Sequence, residues 1–176
     1  MTEDEISAAE GRIGVRFPGE LRIWLMLNNG STALRLRESH YVGTNYAAFS
    51  PLPHGCAFLD LDRIESTYAA RHAYQDQLIA SGDNFTYWDR TWIPAIEKFD
   101  APYGFFLDVS AGCVDCAMYN YSEGDVIEVG HTPPSFPSLG VYLTDVADAL
   151  EGIRPWGSRI GFEGVVPTVR DGVLHW

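Results

Sequence analysis

The amino-acid sequence predicts one α+β domain, in which a mostly antiparallel central sheet is flanked by an N-terminal helix pair, a middle helix and a C-terminal helix. Helical patterns occupy the first 30 residues, residues 61–81 and residues 138–152. Between residues 91 and 129, short β-branched and aromatic runs alternate with turn residues, which is typical of strands joined by hairpins. A length of 176 residues suits a single domain. We assign residues 1–176 to it, with residues 153–176 as a C-terminal extension packed on the rest.

The first helix has recognisable signals at both ends. Thr2 and Glu5 have the spacing of a capping box, in which each side chain accepts a hydrogen bond from the backbone N–H of the other residue. Gly14 follows the helical pattern and accepts the left-handed conformation that ends many helices. We therefore expect a helix between Thr2 and Gly14.

A second helix is expected directly after the first. Pro18 suits the first helical turn, where its missing N–H costs no hydrogen bond, and Asn29-Gly30 accepts a left-handed backbone at the other end. Apolar residues at helical spacing should face the core, namely Leu21, Trp24 and Leu25, with Leu27 or Asn28 close to the same stripe.

Few periodic signals occur in residues 31–60, where short strands are expected near residues 34–36 and 56–59. The pair Asp62 and Glu65 then repeats the capping arrangement and predicts the start of the middle helix. The inner face of this helix should contain Ile64, Tyr68 and Leu78, and the helix should end near residue 82.

The central strands are expected in TWIPAIE, GFFLDVS, CAMYNY and DVIEVG, the last two forming a hairpin with its turn at residues 122–125. A final helix should follow and end at Gly152, with an apolar stripe of Leu139, Tyr142, Leu143, Val146 and Leu150. Asp171-Gly172 predicts the turn of a second hairpin in the tail.

The charge of the chain restricts its partners. Twenty-four acidic residues outnumber twelve basic ones, for a formal net charge of −12. No Lys or Arg lies between Lys98 and Arg154, whereas nine acids do: Asp100, Asp108, Asp115, Glu123, Asp125, Glu128, Asp145, Asp148 and Glu151. Such a surface repels nucleic-acid phosphates and suits a basic protein partner. The alternative interpretation is that the acidity only maintains solubility.

Aromatic residues at 84–92, NFTYWDRTW, indicate a partner-binding segment. Tyr, Trp and Arg are enriched at the energetic centres of protein interfaces. We expect Trp92 to lie in the core, and Tyr87 and Trp88 to contact a partner. The full set of expected partner-binding residues is Asp83, Tyr87, Trp88, Asp89, Asp100, Asp115, Glu123, Asp125 and Glu128.

Catalytic and metal-binding patterns are weak. Cys113 and Cys116 form a Cys-x-x-Cys pair, but they lie between strand-like segments, whereas redox pairs begin helices, and nearby acids oppose a thiolate. A zinc site needs four ligands; Cys56 and a histidine could complete one, but no second paired motif exists. The five histidines are scattered and no Gly-x-Ser-x-Gly motif occurs. We therefore expect no enzyme activity, no cofactor and no metal.

The N-terminus and the apolar runs indicate a cytoplasmic protein. The first ten residues, MTEDEISAAE, lack the charged and then apolar arrangement of a signal peptide. No apolar run approaches the roughly 20 residues needed to cross a bilayer. We expect no membrane partner and no nucleic-acid partner.

Three groups of residues together resemble the SUKH superfamily, in its Smi/Knr-like branch. That family begins with a helix ending in Leu/Ile-Gly and a proline-initiated helix ending in Asn-Gly, and the matching residues are Ile13-Gly14, Pro18, Leu21, Leu25 and Asn29-Gly30. Its Trp-x-Pro strand, glycine-bearing turn and strand ending in Leu-Asp correspond to Trp92, Pro94, Gly104, Leu107 and Asp108. Its closing helix follows a Ser-Phe pair, here Ser135-Phe136.

The resemblance covers about residues 5–152, with two departures. Residues 31–60 are hard to match, and Cys113 and Cys116 occupy a region where the family often has a Gly-rich turn. The resemblance implies an α+β fold and a role without catalysis. Bacterial members are similar to immunity proteins that neutralise polymorphic toxins, often nucleases or deaminases, and fungal relatives resemble regulators of cell-wall synthesis.

These observations combine into one functional expectation. We expect a bacterial immunity protein whose acidic face binds a basic toxin domain. The alternative is an intracellular interaction scaffold or regulator of the cell-wall-synthesis type that has no toxin partner.

Overall fold

A computed structural model describes residues 1–30, 52–83, 85–98, 103–110, 112, 116–122, 133–158, 164–170 and 172–176. The described residues form four α-helices and six strands: α1 (Glu3–Ile13), α2 (Gly19–Asn28), β1 (Cys56–Phe58), α3 (Leu61–Ala80), β2 (Trp92–Lys98), β3 (Gly104–Asp108), β4 (Met118–Tyr121), α4 (Leu139–Leu150), β5 (Thr168–Arg170) and β6 (Val173–His175). The strands expected near residues 34–36 and in DVIEVG, with most of the turn at 122–125, lie outside the described residues.

Four strands form an antiparallel sheet in the order β1-β2-β3-β4. The register between β2 and β3 shifts between Pro94 and Ile96, where β2 bulges. Strands β5 and β6 form a separate hairpin in which Arg170 pairs with Val173, as the Asp171-Gly172 turn predicts. The helices and the antiparallel sheet confirm the predicted α+β class.

Helix α1 begins and ends as predicted. The Thr2 backbone N donates to Oε2 of Glu5 at 2.7 Å, and the Glu5 backbone N donates to Oγ1 of Thr2 at 3.3 Å. Gly14 has the left-handed φ of 75° that ends the helix. Ile6 and Ala9 form the buried face of the helix.

Helix α2 shows one correction to the predicted stripe. Pro18 is the N-cap, one residue before the first helical turn in which it was expected. Leu21 and Leu25 are buried, as predicted. Trp24 is half-buried with its ring centroid 4.3 Å from that of Phe58. Leu27 is 76% exposed, so its expected place in the stripe is wrong. Leu27 lies two residues after Leu25, about 200° around the helix, because successive residues are about 100° apart.

The Asn29-Gly30 pair joins the end of α2 to the start of α3. Asn29 ends α2 with a left-handed φ of 42°, and its Oδ1 accepts a hydrogen bond from the Leu61 backbone N at 3.2 Å. A Cβ on Gly30 would lie 2.5 Å from the Asp60 backbone N, so only glycine fits this approach. The predicted helix-ending pair therefore also positions the next helix.

Helix α3 is capped by Asp60, whose Oδ1 accepts a hydrogen bond from the Arg63 backbone N at 3.0 Å; the prediction of Asp62 as the cap is wrong. Glu65 forms an ion pair with Arg12 of α1 at 2.5 Å. The buried face includes Ile64 and Tyr68, as predicted, and continues with His72 and Gln75, whereas Leu78 is half-buried.

Helix α4 begins at the N-cap Ser138 and is tied to α2. Oε2 of Glu20 accepts a hydrogen bond from the Gly140 backbone N at 3.1 Å. Leu139, Tyr142 and Val146 are buried, as predicted, but Leu143 is half-buried and Leu150 is half-exposed. Asp145 and Ala149 complete the buried face instead.

The two faces of the sheet contact different clusters. On β3, Phe105 and Leu107 belong to the main core beneath the helices, whereas Phe106 belongs to a second cluster with Trp88, Trp92, Tyr119 and Tyr121. Successive strand residues point to opposite faces, so the second cluster lies on the other side of the sheet. Trp92 is buried there, as predicted. No helix in the described part of the chain combines the length and apolarity needed to cross a membrane.

Gly104 is the first residue of β3, as the predicted strand GFFLDVS places it, whereas the family resemblance implies a glycine-bearing turn there. A Cβ at this position would lie 2.0 Å from the Ile96 carbonyl oxygen and 2.7 Å from the Tyr121 hydroxyl. The close approach of β2 and the Tyr121 ring therefore explains the glycine.

Candidate partner-binding surface

The structure describes four of the nine residues predicted to bind a partner. Asp83, Tyr87, Trp88 and Asp89 lie in the segment that joins α3 to β2. Asp100, Asp115, Glu123, Asp125 and Glu128 lie outside the described residues. The site is therefore built from the end of α3 and residues 85–91.

Gln75 of α3 holds this segment in place. Its Oε1 accepts hydrogen bonds from the backbone N of Tyr87 at 2.5 Å and of Trp88 at 2.9 Å, and its Nε2 donates to the Phe85 carbonyl at 3.2 Å. The Gln75 side chain thus forms with three backbone groups the hydrogen bonds that a neighbouring strand or helix would otherwise form. Gln75 was not among the predicted residues of this face, although it follows Ile64 and Tyr68 at helical spacing on the buried side of α3.

Three aromatic side chains and one arginine lie at or near the surface where this segment passes the end of α3. The rings of Tyr74 and Tyr87 meet edge to face, with centroids 4.8 Å apart, and Arg71 donates a hydrogen bond to the Tyr87 hydroxyl. Tyr74 is 47% exposed and Phe85 is 40% exposed, whereas Tyr87 and Arg71 are half-buried. We call these four residues, Arg71, Tyr74, Phe85 and Tyr87, the Tyr87 surface.

Trp88 does not belong to this surface, and its expected role as a partner contact is not supported. The residue is 2% exposed, and its Nε1 donates to the Trp92 carbonyl at 3.1 Å. Its ring packs edge to face against Phe106 and Tyr121. Trp88 therefore belongs to the second cluster, whereas its neighbour Tyr87 reaches the surface.

The two aspartates of the segment differ in their surroundings. Oδ1 of Asp89 accepts hydrogen bonds from the backbone N of Thr91 at 2.8 Å and from the Thr91 hydroxyl at 2.6 Å, so this carboxylate shapes the turn before β2. Asp83 is exposed, as is Asp76 on α3. Of the two predicted aspartates, Asp83 is the one whose side chain is open to a partner.

Four acids between Lys98 and Arg154 are described, and three of them make internal contacts. Asp108 accepts a hydrogen bond from the Ser110 backbone N at 2.9 Å, and Asp148 pairs with Arg154 at 2.7 Å. Asp145 is 0% exposed and accepts from the Gly157 backbone N at 2.7 Å, which excludes it from the acidic surface expected for this interval. Glu151 is exposed.

Cysteines and histidines form no metal-binding group within the described residues. Cys56 and Cys116 are buried, and Cys113 lies outside the described residues. His72 is buried with its ring centroid 4.2 Å from that of Tyr68. Burial lowers the pKa of His72 below its ordinary value, and the positive charge of Arg90 lowers it further.

Comparison with known proteins supports the family suggested by the motifs. No curated protein matches the sequence. The family model described as the SMI1 / KNR4 family (SUKH-1) matches residues 1–145, which include helices α1 to α3, the four-stranded sheet and the first half of α4. The chain therefore belongs to the SMI1 / KNR4 family (SUKH-1).

Proposed function

We propose that this protein is a non-catalytic immunity protein of the bacterial cytoplasm, which neutralises a cognate toxin of the nuclease or deaminase type by binding it. The family match over residues 1–145 is the observation on which the proposal depends, because the family suggests an immunity-type or a cell-wall-related protein. The charge and the surface of this chain favour the first of these.

The Tyr87 surface has the residue types and the support needed to bind a protein. Tyrosine and arginine supply much of the binding energy in many interfaces because each combines a large contact area with hydrogen-bonding groups. The hydrogen bonds that the Tyr87 and Trp88 backbone N groups donate to Gln75 fix the backbone beneath Tyr87, so little conformational entropy remains to be lost on binding. We assign the direct contacts with the toxin to this surface.

The acidic charge supplies attraction over longer distances. A toxin that acts on nucleic acid needs a basic surface, and a partner with a net charge of −12 is attracted to it before contact. Asp76 and Asp83 are exposed close to the Tyr87 surface in the sequence. On the basis of the sequence alone, we assign the rest of the electrostatic attraction of the toxin to Asp100, Asp115, Glu123, Asp125 and Glu128.

Growth of cells that co-express this protein with a toxin encoded by a neighbouring gene tests the proposal. We expect the wild-type protein to restore growth, and Tyr74→Ala to weaken toxin binding by about tenfold or more. Leu27→Ala is the matched control, since Leu27 is an exposed apolar residue on a different helix and should bind normally. Absence of both rescue and binding by the wild-type protein would reject the proposal and favour a scaffold with a host partner.

A second pair of variants tests the acidic attraction. Asp125→Asn with Glu128→Gln should slow association with the toxin and reduce its dependence on salt. Asp4→Asn with Asp62→Asn removes the same charge from the exposed starts of two helices and should change the rate much less. Equal effects of the two pairs would show that only net charge matters, and that no acidic face exists.

A further inference from the structure

We infer that Arg71 is a carboxylate-binding residue that receives one acidic side chain of the protein partner. The inference rests on the proposed function for the nature of the partner. Three observations support it: the aromatic rings around the guanidinium group, the contrast with other arginines of the chain, and the sign of the overall charge.

Three aromatic rings surround the guanidinium group of Arg71. Its Cζ lies 4.6 Å from the ring centroid of Tyr121, 5.4 Å from that of Trp88 and 5.8 Å from that of Tyr87. Contacts of this kind stabilise the cation and restrict the side chain before any ligand arrives. The conformational entropy of this long side chain is therefore lost when the protein folds and not when the ligand binds.

Arg71 differs from three other arginines in its acidic contacts. Arg12, Arg22 and Arg154 each contact a carboxylate of this chain. No carboxylate of the described residues forms an ion pair with Arg71, and the nearby Glu97 contacts the Tyr121 hydroxyl at 3.4 Å instead. A guanidinium group has five N–H donors, and the phenolic oxygens of Tyr87 and Tyr121 can satisfy only part of them.

The N–H groups of Arg71 that the two phenolic oxygens do not satisfy suit a carboxylate. Arginine binds carboxylates through two parallel N–H···O hydrogen bonds, and the Tyr87 ring, with its centroid 5.8 Å from Cζ, supplies apolar surface beside the guanidinium group. Phosphate has compatible geometry, but a nucleic acid would be repelled by a protein of net charge −12. We therefore assign the ligand to an acidic side chain on a protein.

Such a site would orient a basic partner on an acidic protein. Acidic residues attract the partner without fixing its position, whereas one preorganised cation accepts a carboxylate and repels a lysine or arginine placed against it. Arg71 would thus select one register of the complex.

The probe for this site is N-acetylglutamate N-methylamide, compared with its glutamine analogue at constant ionic strength. NMR signals of the arginine Nε–Hε groups report binding at individual arginines. We expect the glutamate probe to shift the Arg71 signal in a saturable way, with a dissociation constant at least about five-fold lower than at the exposed Arg170. The glutamine probe should cause no saturable shift. In Arg71→Lys, the backbone amide signals of Tyr87 and Trp88 report binding instead, and they should show binding of the glutamate probe weakened by about five-fold or more.

Equal shifts with the two probes, or equal affinities at Arg71 and Arg170, would overturn the inference. This outcome needs no variant, so the folding of Arg71→Lys does not affect it. The experiment contains no toxin. Failure of the probe with normal toxin neutralisation would reject this site alone, whereas probe binding without neutralisation would reject the proposed function and leave the site in place.

Discussion

Replacing Gln75 by alanine tests how the Tyr87 surface is supported. Gln75 is buried, and its amide makes three hydrogen bonds to the backbone of residues 85–88. Gln75→Ala removes all three and leaves two N–H groups and one carbonyl without their partner. Because these groups lie close to the second cluster, water can replace the side chain only if the segment moves outward.

The expected loss of stability follows from this count. An intramolecular hydrogen bond contributes about 1 kcal/mol net, so three bonds amount to about 3 kcal/mol. Gln77→Ala is the matched control, since Gln77 is exposed on the same helix and should change the free energy of unfolding by less than about 0.5 kcal/mol. Both substitutions change helix propensity equally, so their difference reports the buried amide.

Urea unfolding followed by tryptophan fluorescence measures the free energies, and hydrogen exchange measures the protection of the Tyr87 and Trp88 amides. We expect Gln75→Ala to unfold at lower urea concentration and both amides to exchange faster than in Gln77→Ala. Equal stability of the two variants, with both amides still protected, would refute this role of Gln75.

Three further predictions concern the packing and charge of single residues. Gly140→Ala should cost about 1–2 kcal/mol, because the new Cβ would lie 2.5 Å from Oε1 of Glu20 and displace a hydrogen-bonded carboxylate. Gly11→Ala, with no atom within 4 Å of its new Cβ, should instead stabilise the exposed helix by about 0.5–1 kcal/mol in thermal unfolding. The folded-state pKa of His72 lies below its ordinary value of 6.5. The contribution of neutral His72 to the free energy of unfolding is therefore fully present above pH 6.5 and is lost as the pH falls below it. His72→Phe should reduce the fall in stability between pH 7 and pH 5.

Local signals in the sequence predicted the helix ends well. The capping box of Thr2 and Glu5 and the left-handed residues Gly14 and Asn29 need only a few neighbouring residues to form, so spacing alone identifies them. Asp60 and Asp62 both lie at the start of α3, and only the backbone geometry decides which of them caps it. The predicted cap of α3 was therefore wrong by two residues.

Burial set by distant parts of the chain could not be predicted in the same way. Trp88 is covered by Phe106 and Tyr121. Asp145 is buried where its carboxylate accepts a hydrogen bond from the Gly157 backbone N. An aromatic or acidic residue has the same local pattern whether it faces a partner or its own core. Composition drew attention to residues 84–92, but Arg71, Tyr74 and Gln75 of α3 emerged only from their contacts with that segment.

Titration of the neighbouring toxin with purified protein tests the central proposal most directly. The toxin's catalytic rate on its nucleic-acid substrate is measured as this protein is added. The proposed function predicts that activity falls to zero at an equimolar ratio, and that the toxin is recovered chemically unchanged when the complex is dissociated. Full toxin activity in excess protein, or covalent alteration of the toxin, would contradict neutralisation by binding.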